Sequence, residues 1–143
     1  LLEAQGVGRL ADKSDKADKS DEKKIGGSYE DDEYGVSIDK CQVKRDYEGK
    51  KCVLVTFTFK NIDGKKTSPA AHYEFTAYQN DAELDDTILA DEESQGEWKD
   101  VKKGGKQTFS KAYELDDNSN VTVEITPGLW GDEPVAMKVF KVK

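Results

Sequence analysis

Histidine is nearly absent from this chain of 143 residues, which holds one, and there are only two cysteines. One imidazole and two thiols leave little material for a zinc centre or a histidine-based catalyst. Long apolar runs are missing too: no stretch approaches the roughly 20 residues that a bilayer-crossing helix needs, which excludes a helical membrane span. Positive charge is in deficit, with 22 Lys and Arg against 30 Asp and Glu for a net charge of −8. That balance argues against a generic nucleic-acid binder, since phosphate recognition needs concentrated Lys and Arg. Hydrophobic residues make up 35% and charged ones 36%, so the chain is more polar than most globular domains, and its length suits one domain.

The polarity is concentrated at the front. Residues 11–24 read ADKSDKADKSDEKK, with no apolar side chain larger than Ala. Such a segment buries too little surface to offset about 1–2 kcal/mol of backbone entropy per residue, so a disordered tether is expected over residues 1–34. Ile25-Gly26-Gly27-Ser28 supplies a joint, and Tyr29-Glu30-Asp31-Asp32-Glu33 an acidic run. Residues 1–10, LLEAQGVGRL, lack the basic and long apolar regions of a secretory signal. Residues 1–35 hold six basic and ten acidic residues, and residues 36–143 hold sixteen and twenty, so neither part forms a basic patch.

From residue 35 to residue 143 the pattern changes to short β-branched and aromatic runs separated by turn residues. Val53, Val55, Phe57 and Phe59 alternate with Leu54, Thr56 and Thr58, the period of a half-buried strand. Asp46-Tyr47-Glu48-Gly49 suits a type I turn closed by a left-handed Gly. That hairpin pairs Asp46 with Lys50, Val43 with Val53 and Cys41 with Val55, leaving Cys52 opposite Lys44. Further strands are expected at 72–79, 83–90, 106–115, 121–126 and 135–142, with turns at Asn80-Asp81, Gly104-Gly105 and Asp116–Asn120. About seven strands, with turns every 8–15 residues and no amphipathic helix, predict an all-β, immunoglobulin-like antiparallel sandwich.

Tyr47-Glu48-Gly49-Lys50-Lys51, Val53–Asn61, Phe75–Asn80 with Glu83-Leu84, and Lys111-Ala112-Tyr113-Glu114-Leu115 carry a resemblance. In these segments the chain resembles immunoglobulin-like domains of unknown function in lipoproteins and secreted proteins of Gram-positive bacteria, within a telokin-like fold group. The resemblance implies an extracellular or cell-surface location with a charged spacer following a lipidated Cys; the sequence lacks that Cys, so either the lipid anchor lies upstream of Leu1 or the protein is secreted. It implies no enzymatic activity and no catalytic residue. An oxidising compartment favours a Cys41–Cys52 disulfide, but the hairpin register opposes it by turning the two side chains to opposite faces. The alternative is a core thiol at Cys41 and a half-exposed one at Cys52.

Candidate sites are few. Asp116-Asp117-Asn118-Ser119-Asn120 begins like a calcium loop, but Val121 and Pro127 stand where an EF-hand needs Gly and Glu, so a solvated turn is expected. His72 has no nucleophile elbow near it in sequence, and Ser68 before Pro69 reads as a loop residue. The carboxylate pairs Asp31/Asp32, Asp85/Asp86 and Glu92/Glu93 lie in polar runs with nothing to raise one pKa. No metal or cofactor is expected, and no catalytic residue. Trp98 and Trp130, both in Gly-containing loops, and Tyr78 at a strand end are the candidate contacts to a ligand or partner. An exposed indole would stack on a sugar or anchor a protein; a buried one would plug an open end of the sandwich. The expectation is a non-enzymatic extracytoplasmic module that contacts a protein partner at the cell envelope through loops or an edge strand. The rival is a carbohydrate-binding domain that meets a polysaccharide with loop aromatics.

Overall fold

Turn chemistry and strand alternation fix the first large unit, a hairpin of β2 (Tyr34–Arg45) and β3 (Lys51–Asn61). Its register pairs Val43 with Val53, Cys41 with Val55 and Lys44 with Cys52, as the hairpin spacing requires. Gly49 closes the turn at φ 83°, the left-handed region that a side chain disfavours. Asp46 organises the turn: its Oδ1 accepts from the backbone N–H of Glu48 at 2.8 Å and of Lys50 at 2.9 Å.

The computed structural model describes residues 25–89, 95–128 and 133–142. They hold nine strands: β1 (Ser28–Glu30), β2, β3, β4 (Tyr73–Gln79), β5 (Ala82–Glu83), β6 (Asp86–Thr87), β7 (Lys106–Glu114), β8 (Val121–Pro127) and β9 (Ala136–Phe140). A helical turn, α1 (Pro69–His72), and a 3-10 turn at Gln95–Trp98 are the helical elements among them. The strands form two antiparallel sheets, ordered β1-β2-β3-β7-β6 and β5-β4-β8-β9.

The core lies between the sheets. Val53, Val55, Phe57 and Phe59 point inward from β3, and Tyr73, Phe75 and Ala77 from β4, all buried. Phe57 meets Phe75 at 4.8 Å between ring centroids, and Phe75 meets Phe109 of β7 edge-on at 5.1 Å. Both are favoured aromatic geometries. Inward-facing lysines close the flanks: Lys138 of β9 donates to the carbonyl of Ile38 at 3.1 Å, and Lys111 of β7 reaches Glu97 at 3.1 Å.

Four sequence expectations need correction. The first sheet begins at Ser28 rather than at residue 35, because β1 pairs Glu30 with Gly35 and Ser28 with Ser37. The part of the expected tether up to residue 24 lies outside the described residues. β2 starts at Tyr34 and carries a bulge between Ile38 and Lys40. The extra residue shifts the parity, so that Tyr34, Val36 and Ile38 face inward before it and Cys41 after it. The strand expected at 83–90 is divided. β5 bonds to β4 in one sheet and β6 to β7 in the other, with Leu84 buried at the crossing.

The last correction concerns Cys52, which is fully buried rather than half-exposed. The segment after β6 lies over the outer face of the five-stranded sheet, so Leu89 packs on Cys52, Leu54 and Ala112. Cys41 sits in the main core, and both thiols are free. Burial pushes the Cys41 thiol up to about 12 and the Cys52 thiol up to about 11. At pH 8 the thiolate fractions are then about one in ten thousand and one in a thousand, and thiolate is the reactive form. Titration with an aromatic disulfide reagent is expected to find essentially no reactive thiol in the folded chain and both after denaturation. Fast reaction of one thiol under native conditions would contradict the packing over Cys52.

Candidate interaction site

Three side chains stand out at one corner. Tyr47, Ile88 and Trp98 are 58%, 55% and 67% exposed, whereas most large apolar residues are buried. Ile62, also exposed, lies at the opposite end of β3. The corner is assembled from the hairpin turn, the segment after β6 and the 3-10 turn. The hairpin turn presents Tyr47, whose backbone N–H donates to the carbonyl of Ile88 at 3.0 Å. The Thr87 hydroxyl donates to Asp46 Oδ2 at 3.1 Å, tying the crossing segment to the same turn. Burial alone would raise the Asp46 carboxyl, but the N–H donors of Lys50 and Glu48 and the Thr87 hydroxyl hold it below the ordinary carboxylate range.

The 3-10 turn brings in Trp98. Gly96 is required there by close approach: a Cβ would lie 2.3 Å from Gln107 Nε2 and 2.7 Å from Phe109 Cβ. Trp98 and Ile88 are walls of one cavity of about 150 Å³, lined also by Asp86, Thr87, Glu97, Lys111 and Ala112. Its polar side is the Lys111 ammonium, 3.1 Å from Glu97 and 3.7 Å from Asp86. Lys111 and Glu97 are largely buried, while the Asp86 side chain is 70% exposed. The cavity thus sets an exposed indole and an exposed isoleucine beside a largely buried ion pair.

Trp98 is therefore no plug of the sandwich. Tyr78 is half-buried on β4, in the four-stranded sheet, where it pairs with Glu83 and Thr122. It alternates with the inward Ala77 and Gln79, so it faces outward from the other sheet. The structure does not bring Tyr78 and Trp98 together, and Trp130 lies outside the described residues. Sequence reasoning missed Tyr47 and Ile88, which it placed in a turn and a strand. The available signal was an aromatic at the second position of a tight turn, where no core contact is within reach.

The remaining candidates have structural roles. His72 is half-buried, its ring 4.2 Å from that of Tyr34 and 4.9 Å from that of Tyr73. Ser68 caps α1, accepting from Ala71 N–H at 3.2 Å. The 116–120 loop is held by Gln79, a buried amide that uses all four of its bonding positions. Its Nε2 donates to the carbonyls of Asp117 and Ser119 at 3.0 and 2.8 Å. Its Oε1 accepts from the N–H of Asp116 and Asp117 at 2.7 and 3.3 Å. Asp117 accepts from the N–H and hydroxyl of Ser119, and these donors draw its carboxyl below the ordinary range. Among the described residues no cluster of three His, Cys, Asp or Glu is arranged to hold a metal ion. No described helix is long and apolar enough to cross a membrane.

Residues 9–127 match the family described as "Domain of unknown function (DUF5067)", and the chain belongs to that family. The fold is shared with solved structures from Gram-positive bacteria. One, from Staphylococcus aureus and described as "a putative lipoprotein", is 17% identical with a TM-score of 0.64, over 99% of this chain and 94% of its own. Another, from Bacillus subtilis and described in the same words, is 20% identical with a TM-score of 0.61. It matches 82% of this chain, which spans only 38% of that longer protein. The yjhA protein of Bacillus subtilis is 13% identical with a TM-score of 0.53, over 83% of this chain and 98% of its own. No curated protein matches the chain.

Proposed function

We propose that this domain is a non-enzymatic, immunoglobulin-like interaction module that works outside the cytoplasm of a Gram-positive bacterium and meets a protein partner through the Tyr47–Ile88–Trp98 corner. The observation that carries the reading is that two exposed large apolar side chains, Ile88 and Trp98, wall one cavity, with the turn that bears the exposed Tyr47 bonded to the Ile88 backbone. Monomeric domains rarely expose such groups together without a use for them. The two-layer antiparallel fold supports the immunoglobulin-like description, and its likeness to two proteins described as lipoproteins supports the location. The charged run of residues 11–24 supports a spacer role between an anchor and the domain.

A photo-crosslinking amino acid at position 88, compared with one at position 62, tests the reading in the natural host. A discrete cross-linked protein from position 88 alone, lost on Trp98→Ala, is the expected result. Equal products from both positions, or none from position 88, would overturn it.

A further inference from the structure

Charge at the same corner says what kind of partner fits. Lys111 faces two carboxylates and neutralises one, since Glu97 stands closer than Asp86. Lys50 pairs with Glu48 at 3.5 Å, and the Arg45 guanidinium donates to the Gly49 carbonyl at 3.1 Å. Lys99 follows Trp98 directly and is followed in turn by Asp100. Asp86 is thus left exposed on the cavity that Trp98 also lines and, among the described residues, its one ion pair is a long contact to a shared ammonium. Carboxylates also raise the phenols of two tyrosines nearby. The Tyr47 phenol is raised, first by Glu48 and then also by Asp46 and Glu114. Tyr113, under β6, is raised by burial and then by Asp86, Glu97 and Glu83.

Resting on the interaction reading above, we infer that the partner is a protein segment that sets an aliphatic or aromatic side chain against Trp98 and Ile88 and a Lys or Arg against Asp86. A purely apolar segment would strip water from Asp86 and return no counter-charge, which is costly for a carboxylate. An acidic segment would be repelled, and so would an anionic membrane. A cation there also shares the cavity with the exposed Trp98 indole, whose face attracts positive charge.

The test uses the full chain and two fluorescein-labelled eight-residue peptides, one alternating leucine with lysine and one alternating leucine with glutamate, followed by anisotropy. The lysine peptide is expected to bind at least about tenfold more tightly, and more weakly in 0.5 M salt. Trp98→Ala is expected to weaken it about tenfold and Asp86→Asn roughly three- to tenfold. Glu74→Gln removes the same charge from the other sheet and is expected to change little. Because the chain is acidic overall, equal losses in Asp86→Asn and Glu74→Gln would show unspecific attraction and overturn the inference. Equal binding of the two peptides, or no binding of the lysine peptide at millimolar concentration, would also overturn it. In each of those cases a Trp98-dependent cross-link from position 88 would leave the interaction reading standing. Loss of that cross-link removes the reading itself.

Discussion

Truncating Phe57 to alanine is expected to lower the unfolding free energy by about 3–5 kcal/mol, because it deletes a ring at the centre of the core. Phe57 is fully buried and touches both layers, meeting Phe109 at 5.5 Å in its own sheet and Phe75 at 4.8 Å in the other. The loss combines the transfer term of the missing carbons with a cavity that two flanking strands cannot close. Equilibrium urea denaturation measures it as a lower midpoint at unchanged slope. Phe57→Leu, which keeps most of the volume, is expected to cost well under half as much. A change below about 1 kcal/mol in the alanine variant would mean that the sheets do not pack through this ring.

The second large effect is expected at Gln79. Replacing it by leucine keeps the bulk and removes all four hydrogen bonds to the 116–119 backbone. The two N–H and two C=O groups would face an apolar side chain, and about 2–4 kcal/mol should be lost, given about 1 kcal/mol for each bond and more where a group stays dry. Gln79→Glu separates hydrogen bonding from shape. A carboxylate would still accept from Asp116 and Asp117 but would turn a negative oxygen toward the carbonyls of Asp117 and Ser119. Burial and those carbonyls raise the folded-state pKa of the introduced acid, so the neutral form is the one that fits. The variant should therefore be most stable below the unfolded-state pKa of about 4.3 and lose stability as pH rises through it. Urea midpoints at pH 4 and pH 7, set against those of the unaltered chain, give the sign. A variant that gains on raising the pH would refute this account of the loop.

Parts of this architecture could be read directly from residue order. The β2–β3 hairpin was legible because two independent signals agree there: alternation along Val53–Phe59 and a turn sequence of one acceptable geometry. β7 and β8 were legible for the same reason. The front of β2 was not, since the bulge beside Asp39 breaks the alternation that reveals a strand. Nor was the 83–90 segment, whose residues serve one sheet, then the other, then the outer face. Gln79 looked like the polar end of a strand. Its parity with Tyr73, Phe75 and Ala77 was the clue that it points inward, and only the loop folded over it shows what it satisfies. At the candidate site, Trp98 could be named from its glycine-containing loop. Ile88 could not, because it reaches the same cavity through a tertiary path, and at Tyr47 the one local hint was an aromatic in a tight turn.

The short passage from Ala82 to Thr87 bonds to β4 at its beginning and to β7 at its end. Leu84 N–H donates to the Ala77 carbonyl and Glu114 N–H to the Asp85 carbonyl, both at 2.8 Å, so the rivet is fastened on either side of the buried Leu84. Separating the two layers would have to break those bonds as well as the apolar packing between the sheets. A pull that parts the layers is therefore expected to load both halves of this rivet together.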